Sequence, residues 1–244
     1  MSINTIDSLE LNDYDLFYHF AWNGSAGELR SNEFTQTTNA LETVKCLRAA
    51  KQFGCRKFIS AGSIMEFESK EAIYTQETSP STSYIYGVGK SLAHELCKPI
   101  ANDIGIDLVW TYITNAYGPG EKSPRFINTT LRKIIHNEPL NFTSATQNYD
   151  FIYIDDVAEA FYLLGEYGKK NKSYLIGSGK AKALKEFILE FCNNPIFGNI
   201  PYTGINLDLQ VFSINELKKD CKFKPKVSFK EGIKRTLAWL KEND

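Results

Sequence analysis

Tyr86 and Lys90 stand four residues apart in the stretch Ser79–Lys90, S-P-S-T-S-Y-I-Y-G-V-G-K. On a helix that spacing stacks two side chains on one face. A tyrosine is a poor acid or base at neutral pH, because a phenol ordinarily titrates near pH ~10. An ammonium beside it favours the phenolate and draws that value toward the range useful for proton transfer. Taken alone, the spacing is that of a surface pair. The chemistry would need a hydroxyl partner, a nucleotide fold and a substrate pocket from the rest of the chain. Tyr84 is a decoy for the phenol, since its i+4 position is Val88 and only Tyr86 reaches a lysine.

The elements that must position this pair read as alternating strands and helices. Tyr14–Ala21, Y-D-L-F-Y-H-F-A, is a short apolar-aromatic run expected as a buried strand. The Gly-rich turn W-N-G-S-A-G (Trp22–Gly27) follows and does not match G-x-G-x-x-G. Phe34–Phe53 is a predicted helix with Leu41, Val44, Leu47 and Ala50 on one face and Gly54 as its stop. Arg56–Ala61 is a second strand, Gly62–Ser83 is expected mostly as loop, and a helix begins near Tyr84. Ile106–Ile113 is a third buried strand, with the loop T-N-A-Y-G-P-G after it. Helices between short apolar strands imply parallel βαβ units with right-handed crossovers. Ligands bind such sheets at the carboxyl ends of the strands, which here are Ser60–Ser63 and Thr114–Gly120.

The second half is less regular. A helix is expected over Ser123–Asn137, strands over Asn141–Thr143 and Asp150–Ile154, and a helix over Val157–Tyr167 capped by Asp155 and Asp156. A strand at Lys172–Ile176 and a helix at Leu184–Phe191 come next. Ser213 and Glu216 are placed for a capping box, and Phe229–Leu240 forms the last helix.

Composition excludes several classes. The 244 residues are 43% hydrophobic and 23% charged, as in an ordinary soluble globular protein. Lys plus Arg (28) nearly balances Asp plus Glu (29), so no global field favours nucleic acid or an anionic membrane. The lysines between Lys218 and Lys241 read as a solvated helix face. Five cysteines and three histidines are scattered without metal-ligand spacing, which suits a cytoplasmic protein with reduced thiols and no metal. The first residues, M-S-I-N-T-I-D-S-L-E, lack the basic start and apolar run of a signal peptide, and no apolar stretch approaches ~18 residues. The three tryptophans are expected as packing residues.

Taken in order, these motifs resemble the extended short-chain dehydrogenase/reductase family, the NAD-dependent epimerase/dehydratases of nucleotide sugars. Tyr86-x-x-x-Lys90 matches its catalytic pair, and Ser63 in S-A-G-S-I-M-E-F-E falls at its catalytic Ser/Thr, with Phe67 as the aromatic after it. His19 and Ala21 match the strand end along the cofactor, and Asn39 with Thr43 the helix after it. Asn115, Tyr117, Gly118 and Pro119 match the N-x-Y-G-P loop beside the substrate diphosphate. Asp150–Ala158 and Phe223–Trp239 match the family's later segments.

The resemblance implies an α/β fold: a Rossmann-like parallel sheet over 1–118 and a smaller substrate-binding region over 119–244, with 150–176 returning to the sheet. It implies an NAD- or NADP-dependent oxidoreductase acting on a nucleotide sugar, and a homodimer through helices 34–53 and 84–100. Tyr86 would exchange a proton with a sugar oxygen, Lys90 would lower its pKa and bind the nicotinamide ribose, and Ser63 would donate to the same oxygen. Ser60 is the alternative hydroxyl. His19, Ala21 and Asn39 would lie along the cofactor, and Asn115 at the sugar or phosphate.

Departures qualify this. The family's opening strand, G-x-x-G-x-x-G turn and helix do not precede Tyr14, so the expected fold is N-terminally truncated and cofactor binding compromised. Tyr112 and Tyr149 stand where many members carry arginines, and Arg125 is a candidate substitute on the diphosphate. Ile64 and Met65 replace the Asp-Glu pair of sugar dehydratases, which favours a 4-keto-reductase or an epimerase. The alternatives are an inactive remnant, a sugar-nucleotide-binding module without cofactor, or a subunit completed by a partner.

Overall fold

The computed structural model describes residues 14–75 and 79–243. The stretch on which the leader expectation rests, Met1–Glu10, lies outside them. In chain order come strand β1 (Leu16–His19), helix α1 (Glu33–Gln52), strand β2 (Lys57–Ser63), helices α2 (Met65–Tyr74) and α3 (Ile85–Ile104) and strand β3 (Asp107–Ile113). Then follow β4 (Asn115–Tyr117), α4 (Phe126–Ile135), β5 (Asn141–Phe142), β6 (Asn148–Tyr149), β7 (Phe151–Tyr153), α5 (Ile154–Tyr167) and β8 (Lys172–Ile176). The chain continues with β9 (Lys182–Ala183), α6 (Leu184–Leu189), β10 (Ile196–Phe197), α7 (Asn215–Cys221) and α8 (Phe229–Asn243). These elements form two compact units: Met1–Ile113 with Ala160–Leu175 and Asn215–Phe223, and Thr114–Glu159 with Ile176–Ile214 and Lys224–Asp244. Of the stretch 150–176, residues Ala160–Leu175 thus belong to the first unit.

The first unit is built on a sheet of order β1-β2-β3-β8. β1 and β3 both run parallel to β2, with His19 opposite Ser60 and Ser63 opposite Ile113. α1 and α3 cover the sheet through small and aliphatic side chains: Ala40, Leu47 and Ala50 from α1 meet Ala93, Cys97 and Ala101 from α3, above Phe58 and Trp110. Lys57 is buried in the sheet and donates to the carbonyls of Leu164 (3.2 Å) and Gly165 (2.6 Å), which fastens the end of α5 to β2. Asp220 of α7 accepts from Lys172 (2.6 Å) and from the Tyr174 hydroxyl (2.9 Å), which fastens that helix to β8.

The stretch after Ser63 departs from expectation. Met65–Tyr74 is a helix rather than loop. Its buried positions are Glu66, Ser69 and Ala72, so its inner face is largely polar and carries no apolar stripe. It packs closely on α3 because residue 87 is glycine: a Cβ there would lie 2.2 Å from the Met65 carbonyl oxygen and 2.5 Å from Ser69 Oγ. Thr82–Tyr84 forms a short 3-10 turn into α3, which begins at Ile85.

The second unit has an aromatic core that includes Phe126, Phe142, Phe151, Phe187 and Phe229, in which Tyr117 meets the rings of Phe151, Tyr153 and Phe229. Asn115–Tyr117 is a short strand parallel to β7 rather than loop. Asp155 and Asp156 lie inside the first turn of α5 instead of capping it. The buried Asp156 carboxylate accepts from the backbone N–H groups of Lys226 (2.8 Å) and Val227 (3.0 Å), fixing the approach to α8. Glu216 pairs with Lys172. Among the described residues no helix is long and apolar enough to cross a membrane, and no cluster of three metal-ligating side chains occurs. All five cysteines are buried and free.

Candidate active site

Ser63 ends β2, and Tyr86 and Lys90 stand on the first turns of α3; all three are buried. Lys90 Nζ donates to the Ala61 carbonyl at 2.7 Å, which ties the helix to the strand two residues before Ser63. Nζ also lies 5.9 Å from the centroid of the Tyr86 ring. The Ser63 hydroxyl accepts from the Met65 backbone N–H (3.2 Å). Glu66 Oε1 accepts from the Ser63 backbone N–H (2.9 Å) and from Trp110 Nε1 (3.1 Å). This carboxylate fits because residue 62 is glycine, where a Cβ would lie 2.5 Å from Oε1. The runner-up hydroxyl, Ser60, is buried three residues earlier on β2 and faces His19 Nδ1 at 3.5 Å. The decoy Tyr84 ends the 3-10 turn before α3.

The loop after β1 closes over this group. Trp22, expected only to pack, places its ring 3.7 Å from Lys90 Nζ and meets the Tyr86 ring edge-on at 6.2 Å. Arg30 places its guanidinium carbon 4.0 Å from the Tyr86 ring centroid and donates to the Ser25 carbonyl at 2.8 Å. Two buried amides of α1, one turn apart, hold the loop. Gln36 accepts from Trp22 Nε1 (2.8 Å) and donates to the carbonyls of Gly24 and Leu29, while Asn39 exchanges two bonds with the backbone of Asn23. The amide of Asn39 is therefore engaged by the loop, of which Ala21 is the half-buried first residue.

Burial dominates the titration of these groups. It lowers Lys90 to about 7, opposed by the Glu66 carboxylate, and raises Glu66 to about 7. The Ala61 carbonyl and the Trp22 face both favour the charged ammonium. Burial, with the Lys90 charge second, lowers His19 to about 3, so its imidazole is neutral at pH 7. Burial also raises Glu68 to about 7, opposed by Arg30. Lys90 and His19 keep hydrogen-bonding capacity within this group, as does the Ser63 hydroxyl. The Lys90 ammonium has three protons and one hydrogen-bonded carbonyl, and the buried His19 Nε2 has no partner among the described residues. Donors and acceptors of this kind fit the hydroxyls of a ribose, so the residues present suit the nicotinamide end of a dinucleotide.

Asn115 and Arg125 belong to the second unit. Asn115 opens β4, and both its backbone N–H (3.1 Å) and its side-chain amide (3.3 Å) donate to the Asp150 carbonyl. Asp150 in turn holds Ser178 and the Gly179 N–H, and burial raises it to about 6. Arg125 stands just before α4, with Nε 4.0 Å from Glu121. Beside it opens a cavity of about 390 Å³ lined by Phe126, Lys133, Phe142, Gln147, Tyr149 and Tyr202. Gln147 Oε1 is buried there without a partner among the described residues. Sequence reasoning missed Trp22, Arg30, Gln36, Glu66 and Glu68. Their one available signal was proximity in sequence to His19, Ala21, Asn39 and Ser63.

The fold and this group of side chains define a Rossmann-like α/β protein with a tyrosine–lysine pair at the carboxyl end of its parallel strands. Residues 2–177 match the model of the NAD dependent epimerase/dehydratase family, and the chain belongs to that family. It is 27% identical over 253 residues to the dTDP-D-glucose 4,6-dehydratase of Homo sapiens, covering 96% of this chain and 71% of that protein. It is 26% identical over 216 residues to the UDP-glucuronate 4-epimerase of Thermodesulfobacterium geofontis, covering 84% of this chain and 66% of that protein. A crystal structure of UDP-glucuronic acid 4-epimerase from Bacillus cereus in complex with NAD has the same fold, with TM-score 0.76 at 21% identity over 99% of this chain and 78% of that one. Relatives of this chain thus include dehydratases as well as epimerases.

Proposed function

We propose that the protein is an oxidoreductase of nucleotide sugars, a 4-keto-reductase or an epimerase, using NAD or NADP. The observation that carries this is the Tyr86–Lys90 pair fastened by Ala61 to the strand that ends at Ser63. Tyr86, as phenolate, takes the proton of a sugar hydroxyl as that carbon is oxidised, and returns it to the carbonyl oxygen on reduction. Ser63 donates to the same oxygen; its hydroxyl proton is not engaged by any described residue. Lys90 holds the phenolate by charge and bonds the nicotinamide ribose, with His19 Nε2 as a second contact. Ala21 lies along the cofactor by its backbone, and Asn39 acts by holding the loop that carries Trp22 and Arg30. Bound there, the nicotinamide supplies the acceptor and donor of hydride.

Dehydration would need an acid and a base beyond these groups. Ile64 is buried in the core and Met65 begins α2, while the nearby Glu66 carboxylate is engaged by Ser63 N–H and Trp110. This favours reduction or epimerisation. The cavity of the second unit suits a nucleotide: aromatic faces for the base, the free Gln147 Oε1 for an N–H donor, and Lys133 with neighbouring Arg125 for phosphate. Asn115 would contact the sugar or phosphate.

One observation favours a second reading, a module that keeps a sugar-nucleotide pocket without cofactor. The Trp22 ring covers the Lys90 ammonium that would otherwise meet the ribose. The experiment is titration of the purified protein with NADH and NADPH by fluorescence, then assay with UDP- and dTDP-4-keto sugars. Tyr86→Phe is expected to lower turnover by at least ~100-fold while leaving cofactor affinity within about threefold. Full turnover in that variant overturns the assignment of Tyr86. Nucleotide-sugar binding by calorimetry with no affinity for either cofactor establishes the second reading instead.

A further inference from the structure

Two cations of different character lie near the Tyr86 ring, at 4.0 and 5.9 Å from its centroid. Lys90, one turn along α3, is buried, and its ammonium is the kind of group that a dry environment neutralises. Arg30 comes from the loop after β1 and lies over the face of the ring, its guanidinium carbon 4.0 Å from the centroid. A guanidinium stays protonated throughout the range in which a phenol titrates. The loop is pinned by Gln36 and Asn39, and Arg30 itself is fastened to the Ser25 carbonyl, so the cation is held there by the fold.

We propose that Arg30 is a positioning residue that sets the proton affinity of Tyr86, stabilising the phenolate from the face of the ring. The inference rests on the reading of Tyr86 as the acid/base, but it is measured on the phenol and not on turnover. Burial lowers Lys90 to about 7, whereas the Arg30 guanidinium keeps its charge over the whole range, so both cations act on the phenol near pH 7 and Arg30 persists above it. Among the described residues, the other titratable groups around this pair are Glu68, Glu66 and His19. Glu68 on α2 is raised to about 7 by burial and feels the Arg30 charge; α2 meets α3 at Gly87, next to Tyr86. Glu66 acts on Lys90, and His19 on β1 is neutral above pH ~5 because burial and Lys90 hold it near 3. Above pH 7 the ionised Glu68 offsets part of the Arg30 field.

The test is a pH titration of the Tyr86 ring carbon by NMR in protein labelled at tyrosine Cζ, the signal identified by its loss in Tyr86→Phe. At ~4 to 5 Å a unit charge shifts a neighbouring titration by roughly one to three pH units, depending on local screening. Arg30→Gln is expected to raise the Tyr86 midpoint by about one pH unit or more, and Arg30→Lys by less. Glu68→Gln removes the opposing carboxylate and is expected to lower the midpoint. A Tyr86 midpoint unchanged in Arg30→Gln, with the other tyrosine signals in place, overturns the proposal. Should Arg30→Gln not fold, Arg30→Met takes its place, and an unchanged Tyr86 midpoint there overturns the proposal equally. Loss of packing alone would not move the midpoint in opposite directions in the Arg30 and Glu68 variants. Failure of the acid/base reading appears separately, as full turnover in Tyr86→Phe.

Discussion

Replacing Glu66 by glutamine should make the protein more stable at pH 8 and leave it nearly unchanged at pH 4.5. Glu66 is 2% exposed, and burial raises its carboxyl from 4.5 to about 7. A group whose folded pKa lies above its unfolded value binds more protons in the native state between the two. Stability therefore falls as pH rises through that window, here about 4.5 to 7. At about 1.4 kcal/mol per pH unit, the loss from this one group is about 3.5 kcal/mol at most. Glutamine keeps an acceptor for the Ser63 N–H and for Trp110 Nε1, and carries no charge to bury. Its amide can also donate toward neutral His94, whose Nδ1 lies 3.8 Å from the Glu66 carboxylate and which burial lowers to about 4. The histidines contribute with the opposite sign, since His19 and His94 are lowered and stability rises with pH as they lose their protons. The effect of His19 is common to both proteins and cancels in the difference, whereas His94, 3.8 Å from Glu66, and Lys90, which feels the Glu66 charge, lose that carboxylate in the variant and trim its gain. The assay is urea unfolding of wild type and Glu66→Gln at pH 4.5, 6 and 8. The stability difference should move in favour of the variant by about 2 to 3 kcal/mol across the series. A difference that is the same at pH 4.5 and pH 8 refutes the burial of an ionisable Glu66 as described.

Two further outcomes follow. Asp156→Ala removes the acceptor of the Lys226 and Val227 N–H groups, and should cost about 3 kcal/mol of unfolding free energy, with Asp156→Asn losing roughly half of that; a cost below about 0.5 kcal/mol by urea titration would refute the role given to this carboxylate. We also propose pairing of two copies through α1 and α3, whose Phe34, Leu41 and Val88 are exposed, so light scattering should return twice 27.7 kDa and Leu41→Glu should return the single mass; a wild-type single mass at micromolar concentration rejects the pairing.

The sheet was legible because its strands are short apolar runs and its helices show small and aliphatic residues at helical spacing. Leu47, Ala50 and Ala93 are buried where that pattern puts them, whereas Leu41, expected on the same face as Leu47, is exposed. The helix Met65–Tyr74 was not legible, for a physical reason: it buries Glu66 and Ser69, and hydrophobic periodicity is blind to a helix packed through polar atoms. The same blindness hid the loop over Tyr86. Gln36 and Asn39 look like solvent-facing residues of α1, yet they are buried because they satisfy the backbone and indole groups of Trp22–Leu29. A loop fixed by side-chain amides leaves no periodic trace, so neither Trp22 nor Arg30 could be placed over Tyr86 from spacing.

That loop also explains how one buried lysine can keep a charge without a paired carboxylate. An ammonium moved out of water loses several kcal/mol of hydration unless other groups replace it. Glu66 acts on Lys90 only through space, and its own oxygens are engaged by Ser63 N–H and Trp110. The direct replacements are neutral: the Ala61 carbonyl at 2.7 Å and the Trp22 face at 3.7 Å. A carbonyl and an indole hold a cation less tightly than a carboxylate does, and they leave ammonium protons for hydroxyl groups to accept. On the proposed reading, a lysine so held would exchange partners as a ribose arrives or leaves, whereas a lysine locked to Glu66 would have to break an ion pair first. The distance of Glu66 from a direct bond is thus part of what makes Lys90 usable, and the persistent charge beside Tyr86 falls to Arg30.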